Sequence, residues 1–238
     1  KAAQLVRACR ALYETAVTYR MPLISGKDSM KNDYVREGVR ISIPPTLLVS
    51  ALAIVPDVRL AVTMDLKDAG DAVYLIGQTR RELGGSEALA ELGLSGGHVP
   101  TVQAEEAIFA YRALHAAMRQ GLVRSCHDVS DGGLAVTLAE TAFAGGLGLV
   151  LDLAPLQALE QLDPLTLLFS ETPSRLVVSV AQEHVAAFEA SLKGVALCHL
   201  GVVSAQPALS VQGADGASLI DAPLDSLKAV WQATLAEM

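Results

Sequence analysis

The chain has 238 residues, of which 51% are hydrophobic and 4% aromatic, and 18 basic against 26 acidic residues give a net charge of −8. The length suggests one or two domains, and the apolar fraction excludes disorder because such a chain buries enough surface to offset its ordering entropy. The acidic balance argues against nucleic acid as a partner, since phosphate backbones need basic surfaces. The three cysteines have no disulfide or zinc spacing, and no apolar run reaches membrane-spanning length. We therefore expect a cytoplasmic protein without membrane contact.

The N-terminal part of the chain combines one helix with loops and a buried strand. Apolar residues recur every three or four positions over residues 2–19 and predict an amphipathic helix. A proline ends this pattern, and residues 22–25 are expected to form a short strand. Residues 26–38 are polar and predict a loop. Residues 47–55 form a continuous apolar run, typical of a strand buried on both faces.

From residue 67 onward strands and helices alternate, and a domain boundary is predicted at residues 66–67. The predicted strands cover residues 72–76, 122–126, 147–151, 175–180 and 195–203. The predicted helices cover residues 84–92, 103–119, 132–144, 182–192 and 224–237. This alternation predicts an α/β or α+β fold in which helices cover a sheet.

The strongest local signal, His-Asp-Val-Ser-Asp-Gly-Gly at residues 127–133, lies between a predicted strand and a predicted helix. Glycines let the backbone approach a phosphate, and a helix N-terminus favours its charge. Carboxylates beside a phosphate require a divalent cation, and Asp oxygens suit Mg²⁺. The turn predicts a Mg²⁺–nucleotide contact with Asp128 on the metal and Ser130 on the phosphate or sugar. The alternative is capping by Ser130 or Asp131, with the two glycines allowing close packing.

A second polar loop contains Gly26, Lys27, Asp28 and Ser29. Lys27 can neutralise a phosphate, and Asp28 can hold a metal or pair with Lys27. The spacing differs from that of a phosphate-binding Walker A loop and by itself favours a solvated charged turn.

Other polar residues are expected to be structural. Ser86 before Glu87 predicts a helix cap. Glu171 is expected to pair with Arg175, and His127 to be hydrogen-bonded within the structure. A nucleophilic role for the cysteine before His127 is disfavoured, because neighbouring residues of a strand point to opposite faces.

Five motifs, taken together, resemble the phosphoribosylformylglycinamidine synthase family, ligases of purine biosynthesis. They are PLISGKDSM at 22–30, IPPTL at 43–47, GGSE at 84–87, HDVSDGGL at 127–134 and FSE at 169–171. The resemblance implies the C-terminal part of the synthetase core, with the PurM-like α+β / α/β architecture of aminoimidazole ribonucleotide (AIR) synthetase relatives. Residues 1–66 would be the C-terminal part of an AIR-synthase N-terminal-like α+β domain, truncated at Lys1. Residues 67–238 would be a complete AIR-synthase C-terminal-like α/β domain.

The resemblance also implies a reaction and a set of binding residues. ATP would activate formylglycinamide ribonucleotide, and ammonia from glutamine would convert it to formylglycinamidine ribonucleotide. Asp128 would bind Mg²⁺ and Ser130 would contact ATP or ADP. Gly26, Lys27 and Ser29 would belong to a loop facing nucleotide and substrate. No residue of the chain is implied as catalytic.

Partners and two alternatives follow from the same resemblance. The other synthetase half and a glutaminase domain or subunit are implied partners, so we expect the chain to be a fragment that is inactive by itself. An exposed edge at residues 47–55 favours a homodimer. One alternative is another ATP-using enzyme of the superfamily, such as aminoimidazole ribonucleotide synthetase. The other is a non-catalytic half that holds a structural nucleotide or only dimerises.

Overall fold

The computed structural model describes residues 2–27, 29 and 33–236, and gives only the backbone of residues 234–236. The chain divides into two compact units, Lys1–Pro56 and Asp57–Met238. Among the described residues, no helix is both long enough and apolar enough to cross a membrane.

The first unit contains one helix and one hairpin. Helix α1 (Ala2–Tyr19) has the predicted bounds. Strands β1 (Asp33–Arg36) and β2 (Val39–Ser42) pair antiparallel. The two residues between them, Glu37 and Gly38, have φ of 53° and 79°, and two positive φ angles suit the twist of a two-residue hairpin turn.

Three predictions for this unit are wrong. Residues 22–25 and 47–55 form no strand, and the loop predicted over 26–38 contains β1. The side chains of residues 47–55 are exposed rather than buried. A strand requires a neighbour for its backbone hydrogen bonds, and no described strand pairs with these two segments. An apolar sequence is therefore not enough to form a strand when no second strand lies beside it.

The second unit is built on a seven-stranded mixed sheet with the order β4-β6-β3-β7-β5-β8-β9. All neighbouring strands are antiparallel except β5 and β8, which are parallel. The strands are β3 (Ala72–Ile76), β4 (Ser125–Val129), β5 (Gly148–Asp152), β6 (Arg175–Val180), β7 (Leu197–Ser204), β8 (Ala208–Gln212) and β9 (Ser218–Pro223). The helices are α2 (Glu87–Glu91), α3 (Ala104–Arg119), α4 (Gly133–Gly145), α5 (Ala154–Glu160), α6 (Pro164–Phe169), α7 (Val185–Ser191) and α8 (Leu224–Ala236).

Helices cover both faces of this sheet, and β3 at its centre shows why. Side chains alternate between the two faces of a strand. Val73 and Leu75 therefore pack into the core under α4, α5, α6 and the start of α8. Tyr74 and Ile76 pack into a second core with α3 and α7. This three-layer mixed arrangement confirms the predicted fold class.

The sequence pattern found most elements of this unit, with β3 and β6 at their predicted bounds. It placed β4 three residues too early, at 122–126, so that His127 and Asp128 lie in the strand and not in the turn after it. It missed β8, β9, α5 and α6. Both helices are short, and each has a proline in its first turn. Such short elements carry too few residues to establish a period.

Residues just before the predicted boundary pack with the second unit. The Cys126 N–H donates to the Thr63 carbonyl at 3.0 Å, and the Leu66 N–H donates to the Thr141 carbonyl at 3.3 Å. The Thr141 hydroxyl also donates to the Met64 carbonyl. The structure thus divides the chain before residue 57, whereas the boundary at 66–67 stays a prediction about family domains.

Candidate functional site

A cleft of about 390 Å³ lies where β4 ends and β6 begins. Because β4 and β6 are antiparallel and Val129 pairs with Arg175, these two strand ends meet at one edge of the sheet. Polar and apolar residues from several segments line the cleft: Asp128, Ser130, Asp131, Glu171, Ser174 and Arg175, with Pro100, Tyr111, Val129, Pro173 and Leu176. The cleft brings together two residues predicted from the sequence, Asp128 and Ser130.

The end of β4 and the turn after it present polar side chains to solvent. The Asp128 side chain is 72% exposed, and its Oδ1 lies 3.3 Å from His127 Nδ1. Ser130 and Asp131 are also exposed. Neither caps α4, so the predicted capping is wrong. The N-cap is Gly132, whose φ of 77° turns the chain so that the helix starts one residue later.

The two glycines serve close packing, as the alternative interpretation predicted. Gly133 has a φ of 70°, and a Cβ there would lie 2.7 Å from the Ser170 carbonyl oxygen. The Gly133 N–H donates to the Ser130 carbonyl at 3.0 Å, and the Gly132 N–H donates to Glu171 Oε1 at 2.9 Å. Both amides are therefore engaged within the protein. A phosphate at this turn would meet the Ser130 hydroxyl and a metal on Asp128 rather than these two amides.

Glu171 contacts backbone amides, and its expected pairing with Arg175 is wrong. Its Oε1 accepts from the Gly132 N–H and also from the Glu87 N–H, each at 2.9 Å. Sequence reasoning missed this role, because the donors come from two distant loops. The polar break at Phe169-Ser170-Glu171, just before a strand, was the signal that marked the segment.

Arg175 instead holds the backbone around Glu171. Its Nε donates to the Thr172 carbonyl at 2.9 Å and its Nη1 to Thr79 Oγ1 at 3.1 Å, and its Nη2 donates to the Ser170 carbonyl. The residue is almost fully buried. Desolvation lowers the pKa of the guanidinium to about 10, partly offset by the nearby carboxylates of Glu160 and Glu82. The group is therefore still charged at neutral pH.

His127 and Cys126 have structural surroundings, as predicted. His127 Nε2 lies 3.0 Å from Glu140 Oε2, and the Trp231 indole N–H donates to Glu140 Oε1 at 2.9 Å. Burial, assisted by the charge of Asp128, raises the pKa of the Cys126 thiol to about 12. A thiol that stays protonated at neutral pH is a poor nucleophile.

The other predicted binding loop belongs to the first unit. Lys27 Nζ donates to Ser29 Oγ at 2.9 Å, and both residues are exposed. A Cβ on Gly26 would meet none of the described atoms within 4 Å. Asp28 lies outside the described residues. The roles of Gly26, Lys27 and Ser29 stay predictions.

The GGSE motif forms the start of α2. Ser86 Oγ accepts the Leu89 N–H at 3.3 Å, which confirms the predicted cap. Glu87 occupies the first turn, where its charge suits the helix dipole. Its own N–H is the second donor to Glu171.

The donor set of the cleft fits one kind of metal binding. Among the described residues, no three carboxylate, imidazole or thiol groups are placed to hold a metal ion together. Mg²⁺ requires no such cage, since it keeps several waters and uses one or two carboxylates together with substrate phosphates. The exposed carboxylate of Asp128, on the cleft wall, fits that mode.

Comparisons with known proteins agree on a family. The family model for the AIR synthase related protein, C-terminal domain, matches residues 68–214. The phosphoribosylformylglycinamidine synthase subunit PurL of Lactobacillus helveticus is 34% identical over 232 residues. That match covers 97% of this chain but 29% of the relative, so the chain spans under a third of the relative's length.

Solved structures show the same fold at low identity. Thermotoga maritima PurL complexed with FGAR has a TM-score of 0.63 at 17% identity, covering 71% of this chain and 30% of that one. The same protein complexed with ATP has a TM-score of 0.55 at 19% identity, covering 71% and 27%.

Proposed function

The chain belongs to the AIR synthase related family through its C-terminal domain, and on that basis we propose that it is part of a phosphoribosylformylglycinamidine synthase. Such a protein is an ATP-dependent amidoligase of purine biosynthesis. The 34% identity to a PurL subunit along nearly the whole chain supports this function. The observation that carries the proposal is the cleft at the end of β4, where Asp128 and Ser130 are exposed on one wall.

In the proposed reaction ATP phosphorylates the glycinamide carbonyl oxygen of formylglycinamide ribonucleotide and leaves as ADP, and ammonia then displaces that oxygen as inorganic phosphate to give formylglycinamidine ribonucleotide. Bound Mg²⁺ would supply charge neutralisation for the phosphoryl oxygens. Asp128 would hold the ion, and the Ser130 hydroxyl would donate to a phosphate or ribose oxygen. Thermotoga maritima PurL, which shares the fold, has been solved with ATP and with FGAR, and this supports both ligands.

A nucleotide in this cleft would also need an apolar wall. Tyr111, Pro100 and Pro173 line the cleft beside the β4 turn and offer flat apolar surface for a base. In the first unit, the Lys27 ammonium and the Ser29 hydroxyl are held together. We assign this loop, with Gly26, to phosphate and substrate, because an ammonium neutralises phosphate charge.

The parts of such an enzyme that lie outside this chain define its partners. We assign the other half of the synthetase and a glutaminase domain or subunit to that role, with ammonia passing between them. A homodimer and a location in the cytoplasm belong to the same proposal.

Calorimetry with Mg–ADP on the full-length protein tests the proposal. Asp128→Asn keeps the size of the side chain but removes its charge, and we expect the affinity to fall about 10-fold or more, as for loss of a charge-assisted contact. Asp221→Asn, which changes an exposed carboxylate on strand β9, is the matched control and should bind like the wild type. Equal affinity of wild type and Asp128→Asn would remove Asp128 from the site. No saturable binding by the wild type would refute the nucleotide function.

A further inference from the structure

We propose that Glu171 is a positioning residue for the cleft, holding the turn after β4 that presents Ser130 beside Asp128 at the end of that strand. This inference rests on the proposed function, because it concerns the same nucleotide site. Glu171 acts through the backbone of the turn, and its Oε1 is already engaged by two amides.

One carboxylate oxygen joins three segments of the chain. Glu171 Oε1 accepts the Gly132 N–H from the turn after β4 and the Glu87 N–H from the start of α2, both at 2.9 Å. Hydrogen bonds to an ionised acceptor are stronger than neutral ones. The oxygen therefore ties the cleft-lining turn and the start of α2 to the segment before β6.

The backbone on both sides of Glu171 is fixed. Ser170 and Thr172 are completely buried. Ser170 Oγ donates to the Arg80 carbonyl at 2.6 Å, and the Arg175 guanidinium holds the carbonyls of Ser170 and Thr172. The Glu171 N–H donates to the Glu82 carbonyl at 3.3 Å. The carboxylate is thus carried by a backbone segment that is hydrogen-bonded on both sides.

The turn is held at two consecutive residues by the same segment. Gly133 packs so closely against residues 168–170 that a Cβ would lie within 2.8 Å of two of their carbonyl oxygens. Gly132 is buried, and its N–H has Glu171 Oε1 as its partner. Without this acceptor the turn must shift to find another partner for the amide. Such a shift moves Ser130, which lies two residues earlier, relative to Asp128, which is held in β4 by its pairing with β6.

Two substitutions separate positioning from direct contact with the ligand. Glu171→Gln keeps a carbonyl oxygen that can accept both N–H groups, but removes the charge. Glu171→Ala removes the acceptor as well. Glu91→Ala is the matched control, because Glu91 is an exposed carboxylate on α2.

Hydrogen exchange followed by mass spectrometry on the ligand-free, full-length protein is the first measurement. In Glu171→Ala we expect peptides covering residues 84–90 and 129–134 to exchange about 10-fold faster or more, because their amides lose a partner. Glu91→Ala should exchange at the wild-type rate there, and Glu171→Gln within about threefold of it, because a neutral acceptor still binds both amides but more weakly. The amides of β3 should stay protected in every variant, which confirms that the protein is folded. Unchanged exchange in Glu171→Ala would overturn the positioning role.

The second measurement is the affinity for Mg–ADP, determined by calorimetry. Glu171→Ala should bind about 10-fold more weakly, whereas Glu171→Gln should stay within about threefold of the wild type, since it keeps the turn in place. If Glu171→Gln binds as weakly as Glu171→Ala while its turn stays protected, the charge acts on the ligand and positioning is overturned. Failure of the wild type to bind Mg–ADP would refute the proposed function, whereas the exchange result would still decide whether Glu171 holds the turn.

Discussion

Both units of the chain contain helices and strands, but they differ in burial. None of the described residues of the first unit is buried, whereas the second unit buries a core on each face of its sheet. In the first unit α1 and the β1–β2 hairpin satisfy their backbone hydrogen bonds locally. In the second, residues far apart in the sequence supply the packing. Regular backbone structure therefore does not by itself indicate a hydrophobic core.

Helices α1 and α4 show the same difference between regular structure and burial within single helices. Helix α1 has a marked apolar stripe but no buried residue. Helix α4 has little amphipathic character, because much of its surface is covered by the sheet and by neighbouring helices. Its buried threonines are satisfied within the structure, as where Thr137 Oγ1 donates to the Gly133 carbonyl at 3.1 Å. Burial thus depends on the surfaces available to each helix.

Leucine truncation should show the largest difference between the units. Leu138 is fully buried in α4, whereas Leu52 is 92% exposed. We expect Leu138→Ala to lower the free energy of unfolding by about 2–5 kcal/mol, from lost burial and the cavity left behind. Leu52→Ala should change it by less than about 0.5 kcal/mol. Urea denaturation followed by Trp231 fluorescence measures both. A large cost at Leu52 would break the comparison, because it would show that a partner covers this segment.

Two glycines with similar positive φ angles, one in each unit, test the difference in packing between the units. Gly133 and Gly38 have φ of 70° and 79°, but only Gly133 lies against other backbone atoms. We expect Gly38→Ala to cost about 1–2 kcal/mol from backbone strain alone. Gly133→Ala should cost about 3 kcal/mol or more, because the added methyl group overlaps the Ser170 carbonyl. The same denaturation experiment measures both variants, and equal costs would contradict the close packing.

Prediction from the sequence was most reliable where the signal is local. The existence of the strand-to-helix turn and its end at Gly132 were nearly right, because its glycines act on their own backbone, but its start was predicted three residues too early, since β4 continues to Val129. The exposure of residues 47–55 and the partners of Glu171 were not predicted. Both depend on which distant segments lie alongside, and that information is absent from a local window of sequence.

Alkylation of the cysteines should show the smallest effect on stability. It tests the same difference in burial without any substitution. Cys9 is exposed in the first unit, whereas burial raises the pKa values of Cys126 and Cys198 to about 12 and about 11. At pH 8 the thiolate fractions of these two are about 10⁻⁴ and 10⁻³, since raised pKa values favour the neutral thiol. Iodoacetamide should therefore modify Cys9 first, as measured by peptide mass spectrometry. Rapid labelling of Cys126 in the folded protein would contradict its burial.

The sequence by itself determined the local elements, including the bounds of α1, β3 and β6, the cap at Ser86 and the presence of a glycine turn before α4. These depend on period, propensity and capping, which act over a few residues. Only the tertiary structure decided which apolar runs are buried and how the β4 turn is held. The order β4-β6-β3 places the segment containing Glu171 beside that turn. The physical reason is that burial and buried hydrogen bonds need a second surface, which the chain supplies only after it has folded.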